Sequence, residues 1–140
     1  MSYYRDVLVA SHLLLVLEQE DYWVNWIKKS IDEWDQQRSV NTYLSLRAGM
    51  GSFYDLSFTG ENSWQRNKLL DIFQNITYFL ALFYRESGEV GLEKVEEKLI
   101  SDNTLLAQKL LLVVFQALKD GTLCDLVRKI EGIEPETLQS

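Results

Sequence analysis

The segment Tyr22–Gln36, YWVNWIKKSIDEWDQ, has the clearest helical periodicity in the chain. Its large apolar side chains recur at i, i+4, i+8 and i+11, so an α-helix would carry them along one side. They are Trp23, Ile27, Ile31 and Trp34. Asp21 comes immediately before, where an aspartate side chain can cap the first free N–H groups of a helix. The segment is therefore predicted to be an amphipathic helix with one face in a core.

The rest of the chain is also helical in pattern, with no segment of length that alternates as a strand does; Phe53–Phe58 alone is ambiguous. The first predicted helix, Tyr3–Glu18, and a later one, Thr104–Leu118, are apolar on nearly every side, which is typical of helices in a core. Others are predicted at Val40–Arg47, Asn62–Arg85, Val90–Ile100 and Thr122–Ile130. No linker divides residues 1–140, so we expect one all-α domain, a bundle of about six to seven helices.

The composition and charge of the chain argue against several classes of partner and site. The chain has 140 residues and a net charge of -7, which disfavours nucleic acid and anionic membrane surfaces as partners. Cys124 is the single cysteine, so the chain can form neither an internal disulfide nor a cysteine-based zinc site. The apolar run near the N-terminus is too short to span a bilayer and no signal-peptide cleavage site follows it. These features predict a cytoplasmic protein.

Residues for catalysis or metal binding are scarce. His12 is the only histidine, and its place within an apolar helix favours a core histidine over a catalytic base. The sequence contains neither the Glu-x-x-His pairs of a di-iron bundle nor a calcium-binding loop. We therefore expect no metal, no cofactor and no enzymatic activity. The carboxylates around the second helix are most simply a solvated helix face.

The stretch LRAGMGSFYDLSF, Leu46–Phe58, places two glycines one residue apart. It lacks the Gly-Lys-Ser/Thr of a P-loop and the third glycine of a dinucleotide-binding turn. A buried structural corner explains it better, with positive φ at a helix end and a capping-box-like spacing. Valine at either glycine is predicted to cost about 1–3 kcal/mol of stability, and Tyr54→Asn far less. The residues assigned to this structural turn are Gly49, Met50, Gly51, Ser52, Phe53 and Asp55.

The segment from Tyr22 to Phe58 resembles a family of small bacterial proteins of unknown function. Their shared pattern has tryptophans in an early helix, an acidic helix end and a Gly-Gly-Met-Gly-Ser-Phe-Asn-Asp-like turn. This chain matches it at Trp23, Trp26, Gly49, Met50, Gly51, Ser52, Phe53, Asp55 and Leu56, and departs from it at Ala48 and Tyr54. The resemblance extends over residues 1–86, and 87–140 would form a C-terminal helical part packed on them. Proteins of this sort look like the cytoplasmic partners encoded beside bacterial toxin genes.

The resemblance and the acidic charge together predict an immunity protein that neutralises a toxin by direct contact. Acidic patches speed the capture of a basic protein such as a toxin domain. The residues expected to form the surface are Glu18, Glu20, Asp21, Asp32, Glu33 and Asp35. One alternative is a small-ligand-binding protein or enzyme with a pocket near the Gly49–Asp55 turn, using Arg47, Tyr54 and Asp55. A DNA-binding helix-turn-helix is the third, and the net charge disfavours it.

Overall fold

The computed structural model describes residues 2–46, 53–89, 91–102 and 105–132. Within these ranges it contains seven α-helices, one 3-10 turn and no strand. The helices are α1 (Tyr3–Leu17), α2 (Asp21–Gln37), α3 (Asn41–Ser45), α4 (Ser63–Ser87), α5 (Leu92–Asp102), α6 (Leu105–Asp120) and α7 (Leu123–Ile130), and the 3-10 turn is Phe53–Asp55. The prediction of an all-α, single-domain bundle is confirmed.

Helix α1 lies at the centre and packs against α2, α4, α6 and α7. Its N-terminus is capped by Ser2, whose side chain accepts a hydrogen bond from the Arg5 N–H at 3.2 Å. The side chains on its inner side are buried, among them Tyr4, Leu8 and Leu14. The opposite side is only partly covered, and Val16 there is 44% exposed. The apolar run is therefore a core helix with one open side.

Helix α2 packs on α1 and α3 with the stripe predicted from its periodicity. Ile27 and Trp34 are buried, while Trp23 and Ile31 are half-buried against the core. Asp21 is the first residue of the helix and makes no capping bond, contrary to the prediction. An acidic side chain in the first turn still suits the positive end of the helix dipole.

Helix α4 is the longest, and it links α1 and α3 to α5 and α6. Leu69, Phe73 and Ile76 on its inner side are fully buried. It ends at Gly88, whose φ of 75° lets its N–H reach the Tyr84 carbonyl at 2.7 Å. The predicted end at Ser87-Gly88 is thus confirmed.

Helix α6 packs on α1, α4, α5 and α7 with Val114 and Phe115 buried. It does not have neighbours on every side: Leu112 and Val113 are 46% and 49% exposed. The contacts with α5 and α7 agree with the expectation of a core helix in the C-terminal half, although in the described part of the chain Leu112 and Val113 face away from the rest of the bundle. No helix in that part is long and apolar enough to cross a membrane.

Candidate functional site

The corner between α3 and α4 is held by a buried polar network. The Gln74 side chain, whose residue is 4% exposed, donates to the Phe53 carbonyl at 2.8 Å. The Tyr54 hydroxyl donates to the main-chain carbonyl of Gln74 at 2.7 Å and lies 2.9 Å from the Tyr43 hydroxyl. Tyr43 reaches the same carbonyl at 3.3 Å. Hydrogen bonds to both the side chain and the backbone carbonyl of Gln74 therefore hold the 3-10 turn against α4.

The side chains of this network are suited to a structural role and not to catalysis. Burial, followed by the nearby Tyr54, raises the pKa of the Tyr43 hydroxyl well above its usual value. A phenol that stays protonated can donate a hydrogen bond but cannot accept a proton from a substrate. Tyr54 is turned toward α4, whereas the adjacent Asp55 is exposed. The two side chains proposed for a ligand pocket thus lie in different environments, and Arg47 lies outside the described residues.

Aromatic packing reinforces the same corner. Phe53 is 1% exposed, as predicted for an inward-facing residue, and its ring centroid lies 5.3 Å from that of Trp23. Its distances to the Tyr43 and Tyr54 rings are 6.3 and 5.9 Å, both edge-to-face. The remaining turn residues, Gly49, Met50, Gly51 and Ser52, lie outside the described residues. What the structure shows of the corner is its support on α2, α3 and α4.

Three of the six predicted surface carboxylates have partners within the chain. Glu18 is bound by Arg66, whose Nη1 lies 2.5 and 2.6 Å from the two carboxylate oxygens. Asp35 forms a two-pronged pair with Arg5 at 2.8 and 3.0 Å. Glu33 accepts from the backbone N–H and the hydroxyl of Thr42, at 2.9 and 2.8 Å. It therefore caps the first turn of α3 from another helix.

Of the other three carboxylates, two lie on the outward side of α2 and Glu20 immediately precedes the helix. Asp21 and Asp32 are exposed, and Glu20 is half-buried at the start of the helix. Asp32 is eleven positions after Asp21, close to three helical turns, so both lie on one side. Tyr22 beside Asp21 is 65% exposed. With the exposed Lys28 and Lys29, these residues form what we call the α2 surface: Asp21, Tyr22, Lys28, Lys29 and Asp32.

Aromatic neighbours fix the shape of the α2 surface. The Tyr22 ring meets the Trp23 ring edge-to-face at 4.8 Å. The Lys29 ammonium lies 4.5 Å from the centroid of the half-buried Trp26 ring, a cation–π contact. Tyr22 therefore projects into solvent while the edge of its ring contacts the half-buried Trp23.

Arg66 is the residue that sequence analysis missed. Besides Glu18, it donates from Nη2 to the main-chain carbonyls of Thr59 and Glu61, at 2.8 and 2.9 Å. Its side chain is 12% exposed. Its hydrogen bonds connect the end of α1 and the turn at 59–61 to the start of α4. No local signal reveals this, because Arg66 and Glu18 are separated by 48 positions.

The described residues show no assembly of metal-binding side chains: no three or more His, Cys, Asp or Glu among them are grouped to hold a metal ion. His12 is half-buried on α1. Cys124 on α7 is half-buried, and burial raises the pKa of its thiol. A thiol in that state is a poor nucleophile.

One family model, described as Domain of unknown function (DUF6966), matches residues 17–64. The match begins at the last residue of α1, covers α2, α3 and the 3-10 turn, and ends in the first turn of α4. No curated protein matches the chain. No solved structure matches it either. The segment similar to this family contains both the α2 surface and the aromatic corner that supports it.

Proposed function

We propose that this protein is a binding protein whose α2 surface holds a basic protein partner, most concretely an immunity protein that neutralises a toxin by contact. The observation that carries the proposal is the 65% exposure of Tyr22, next to the exposed Asp21, on a helix fixed to the core. Exposed tyrosines on ordered supports are frequent hot spots of protein interfaces, since they bury large area at a small entropy cost.

The α2 surface is well held. Ile27 and Trp34 anchor the inner side of the helix, and the Arg5–Asp35 pair ties it to the start of α1. The hydrogen bond that the Thr42 hydroxyl donates to Glu33 ties it to α3. A helix held in this way loses little conformational freedom on binding, so more of the contact energy appears as affinity.

Charge would act at two ranges. The net charge of -7 attracts a basic protein from a distance and speeds encounter at low salt. At contact, Asp21 and Asp32 offer acceptors to Lys or Arg side chains. Lys28 and Lys29 lie between them, so the surface is mixed in sign and would select a partner by pattern. The α2 surface would therefore accept fewer basic partners than a continuous acidic face would.

The division of the six carboxylates decides how the proposal is tested. Reversing the charge of Glu18, Glu33 or Asp35 would break an ion pair or a helix cap, and lost binding could then reflect damaged structure. Reversal of Asp21 and Asp32 leaves those contacts intact. Tyr22→Ala removes the exposed ring, and Glu93→Lys/Glu97→Lys, at two exposed positions on α5, changes the net charge by the same amount as the double reversal on α2 and is its matched control.

The experiment isolates the protein that co-purifies with the full chain from its own cells and measures binding by titration calorimetry. We expect Tyr22→Ala to weaken binding on the order of 30-fold or more, as for hot-spot aromatics. Asp21→Lys/Asp32→Lys should lower the association rate and its salt dependence more than Glu93→Lys/Glu97→Lys does, although the two variants have the same net charge. Wild-type affinity in both α2 variants would refute the assignment of the surface.

The immunity role has a separate readout in growth. The isolated partner is expressed in a host with the wild-type chain, with Asp21→Lys/Asp32→Lys or with neither. Growth restored by the wild type and lost again in the variant is the expected result. A partner that does not impair growth when expressed alone would refute immunity while leaving a binding function.

A further inference from the structure

A groove lies between the start of α4, the first half of α6 and the second half of α7, with a volume of about 290 Å³. We call it the α7 groove, and the residues that line it are Trp64, Gln65, Leu110, Leu126, Lys129 and Ile130. Its three aliphatic side chains are half-buried, so an apolar floor reaches the surface. None of these residues belongs to the α2 surface.

Exposed apolar side chains border the groove. Trp64, in the first turn of α4, is 53% exposed and is the most exposed of the four tryptophans of the chain. Val113, one turn after Leu110 on the same side of α6, is 49% exposed. Apolar side chains gathered around a groove in this way are typical of a site that binds another molecule.

Each of the three helices places a lysine near the groove. Lys68 on α4 lies one turn after Trp64, and its Nζ is 6.0 Å from the centroid of the indole ring. Lys109 on α6 is exposed one turn before Val113, and Lys129 on α7 is an exposed lining residue. In a chain with a net charge of -7, this is a local surface of the opposite sign.

Carboxylates on the same helices do not cancel these lysines. Asp125 on α7 is paired with Arg128, at 3.2 Å. Asp71 on α4 and Asp120 on α6 lie about two and three helical turns beyond the groove residues of their helices. Glu61, which is exposed just before α4, offsets one lysine at most. The surroundings of the groove therefore favour an acidic partner over a basic one.

The size of the groove favours a protein segment over a small ligand. Sites for drug-sized molecules have volumes of about 300–1,000 Å³ and enclose most of the ligand. The α7 groove is at the lower limit of that range, and Trp64 at its edge is more than half exposed. It therefore fits a few apolar side chains of a larger molecule. Because its walls are helices, an extended peptide would find no sheet edge to pair with, whereas an amphipathic helix binds through side chains alone.

We propose that the α7 groove binds an acidic amphipathic helix of a partner protein. The apolar side of that helix lies against Trp64, Leu126 and Ile130. Asp or Glu side chains beside its apolar stripe accept hydrogen bonds from Lys109 and Lys129. The site is independent of the α2 surface, which lies on another helix and has a different charge pattern.

The first experiment asks what the groove selects. A phage-displayed library of peptides of about 16 residues, enough for four helical turns, is selected on the immobilised full chain. The Trp64→Ala chain is present in excess in solution to remove peptides that bind elsewhere. We expect the recovered peptides to have apolar residues at helical spacing and more Asp and Glu than Lys and Arg. Recovery of basic or uncharged peptides, or of none that depends on Trp64, would overturn the proposal.

The second experiment measures the affinity of a recovered acidic peptide by fluorescence anisotropy. Trp64→Ala should weaken binding on the order of tenfold or more. Leu112→Ala, which removes a 46% exposed side chain elsewhere on α6, should bind as the wild type does. Both variants should keep the wild-type melting temperature, because both side chains are exposed. A similar loss of affinity in the two variants would contradict the assignment of the groove.

The role of the lysines is tested by charge reversal. Lys109→Glu/Lys129→Glu should weaken binding of the acidic peptide about 3–10-fold at low salt, and the loss should shrink as salt is added. Arg85→Glu/Lys94→Glu, at exposed positions on α4 and α5, has the same net charge and is the matched control. Equal affinities of the two double variants would show that the lysines do not select the partner.

Two further measurements test other occupants of the groove. Sedimentation velocity shows whether the full chain self-associates, and flotation shows whether it binds vesicles of phosphatidylcholine and phosphatidylglycerol. Self-association that Trp64→Ala abolishes would assign the groove to a second copy. Vesicle binding that requires Trp64 would assign it to a membrane surface. We expect neither, and either result would overturn the proposal.

Discussion

Replacement of Tyr54 by asparagine is the sharpest test of how the corner is held. Sequence comparison with the resembling family predicts a mild change, because asparagine is usual there. In the structure, however, the Tyr54 side chain makes several contacts. Its hydroxyl bonds to the Gln74 carbonyl at 2.7 Å and to the Tyr43 hydroxyl at 2.9 Å. Its ring also meets those of Phe53 and Tyr78, at 5.9 and 6.4 Å. We therefore revise the expectation upward.

The magnitude follows from separating hydroxyl and ring. Tyr54→Phe removes the hydroxyl alone. The Gln74 carbonyl keeps Tyr43 as a donor at 3.3 Å, so the cost should be about 0.5–1.5 kcal/mol. Tyr54→Asn removes the ring as well. A half-buried aromatic in contact with three other rings should bring the total to about 2–4 kcal/mol.

Urea unfolding of the two variants, followed by circular dichroism, measures both costs. Tyr22→Asn is the matched control, because that tyrosine is 65% exposed and its loss should change stability by less than about 0.5 kcal/mol. If Tyr54→Asn were as mild as Tyr22→Asn, the hydroxyl network would not stabilise the corner. The reasoning from its geometry would then be refuted.

Three further experiments test other parts of the structure. Arg66→Leu would strand the largely buried Glu18 carboxylate, so urea unfolding should show a loss of about 3–5 kcal/mol; a loss below about 1 kcal/mol would mean that Glu18 reaches water. Arg5 lowers the pKa of the Asp35 carboxyl by a hydrogen bond, so this pair stabilises the fold above the ordinary carboxyl pKa. Its contribution disappears as pH falls through the lower folded value, and the Tm difference between wild type and Asp35→Asn should shrink on acidification; a constant difference would contradict the assignment. Cys124, with its pKa raised by burial, should react with a disulfide reagent at about pH 8 more slowly than in urea, and equal rates would show an accessible thiol.

Helix positions followed closely from the sequence. The stripe in Tyr22–Gln36 yields α2 at Asp21–Gln37, and the glycine after Ser87 correctly marks the end of α4. Both signals are local: a helix face repeats every few residues, and a glycine with positive φ ends a helix wherever it is placed. The pattern located α6 but not its open side, since apolar residues such as Leu112 and Val113 do not themselves reveal whether a neighbouring element covers them.

The candidate site was less accessible to sequence reasoning. Six carboxylates near α2 have similar sequence environments, yet their roles differ because their partners come from elsewhere. Glu18 meets Arg66 from 48 positions away, and Asp35 meets Arg5 from 30. Such pairs depend on the packing of α1 against α2 and α4. The role of Tyr54 was also missed, because its partner Gln74 reaches it only once the corner has folded against α4.

The central place of α1 also bears on how the chain is made. One side of this apolar helix is covered by α2, but another part of its surface is covered by α6 and α7, which are synthesised later. A ribosome adds about 5–20 residues each second, and α7 lies about 100 residues after α1. For several seconds the growing chain therefore presents an uncovered leucine- and valine-rich surface to its surroundings. Among the described helices α7, which has eight residues, is made last, so its docking completes the covering of α1 and ends the exposure of that surface.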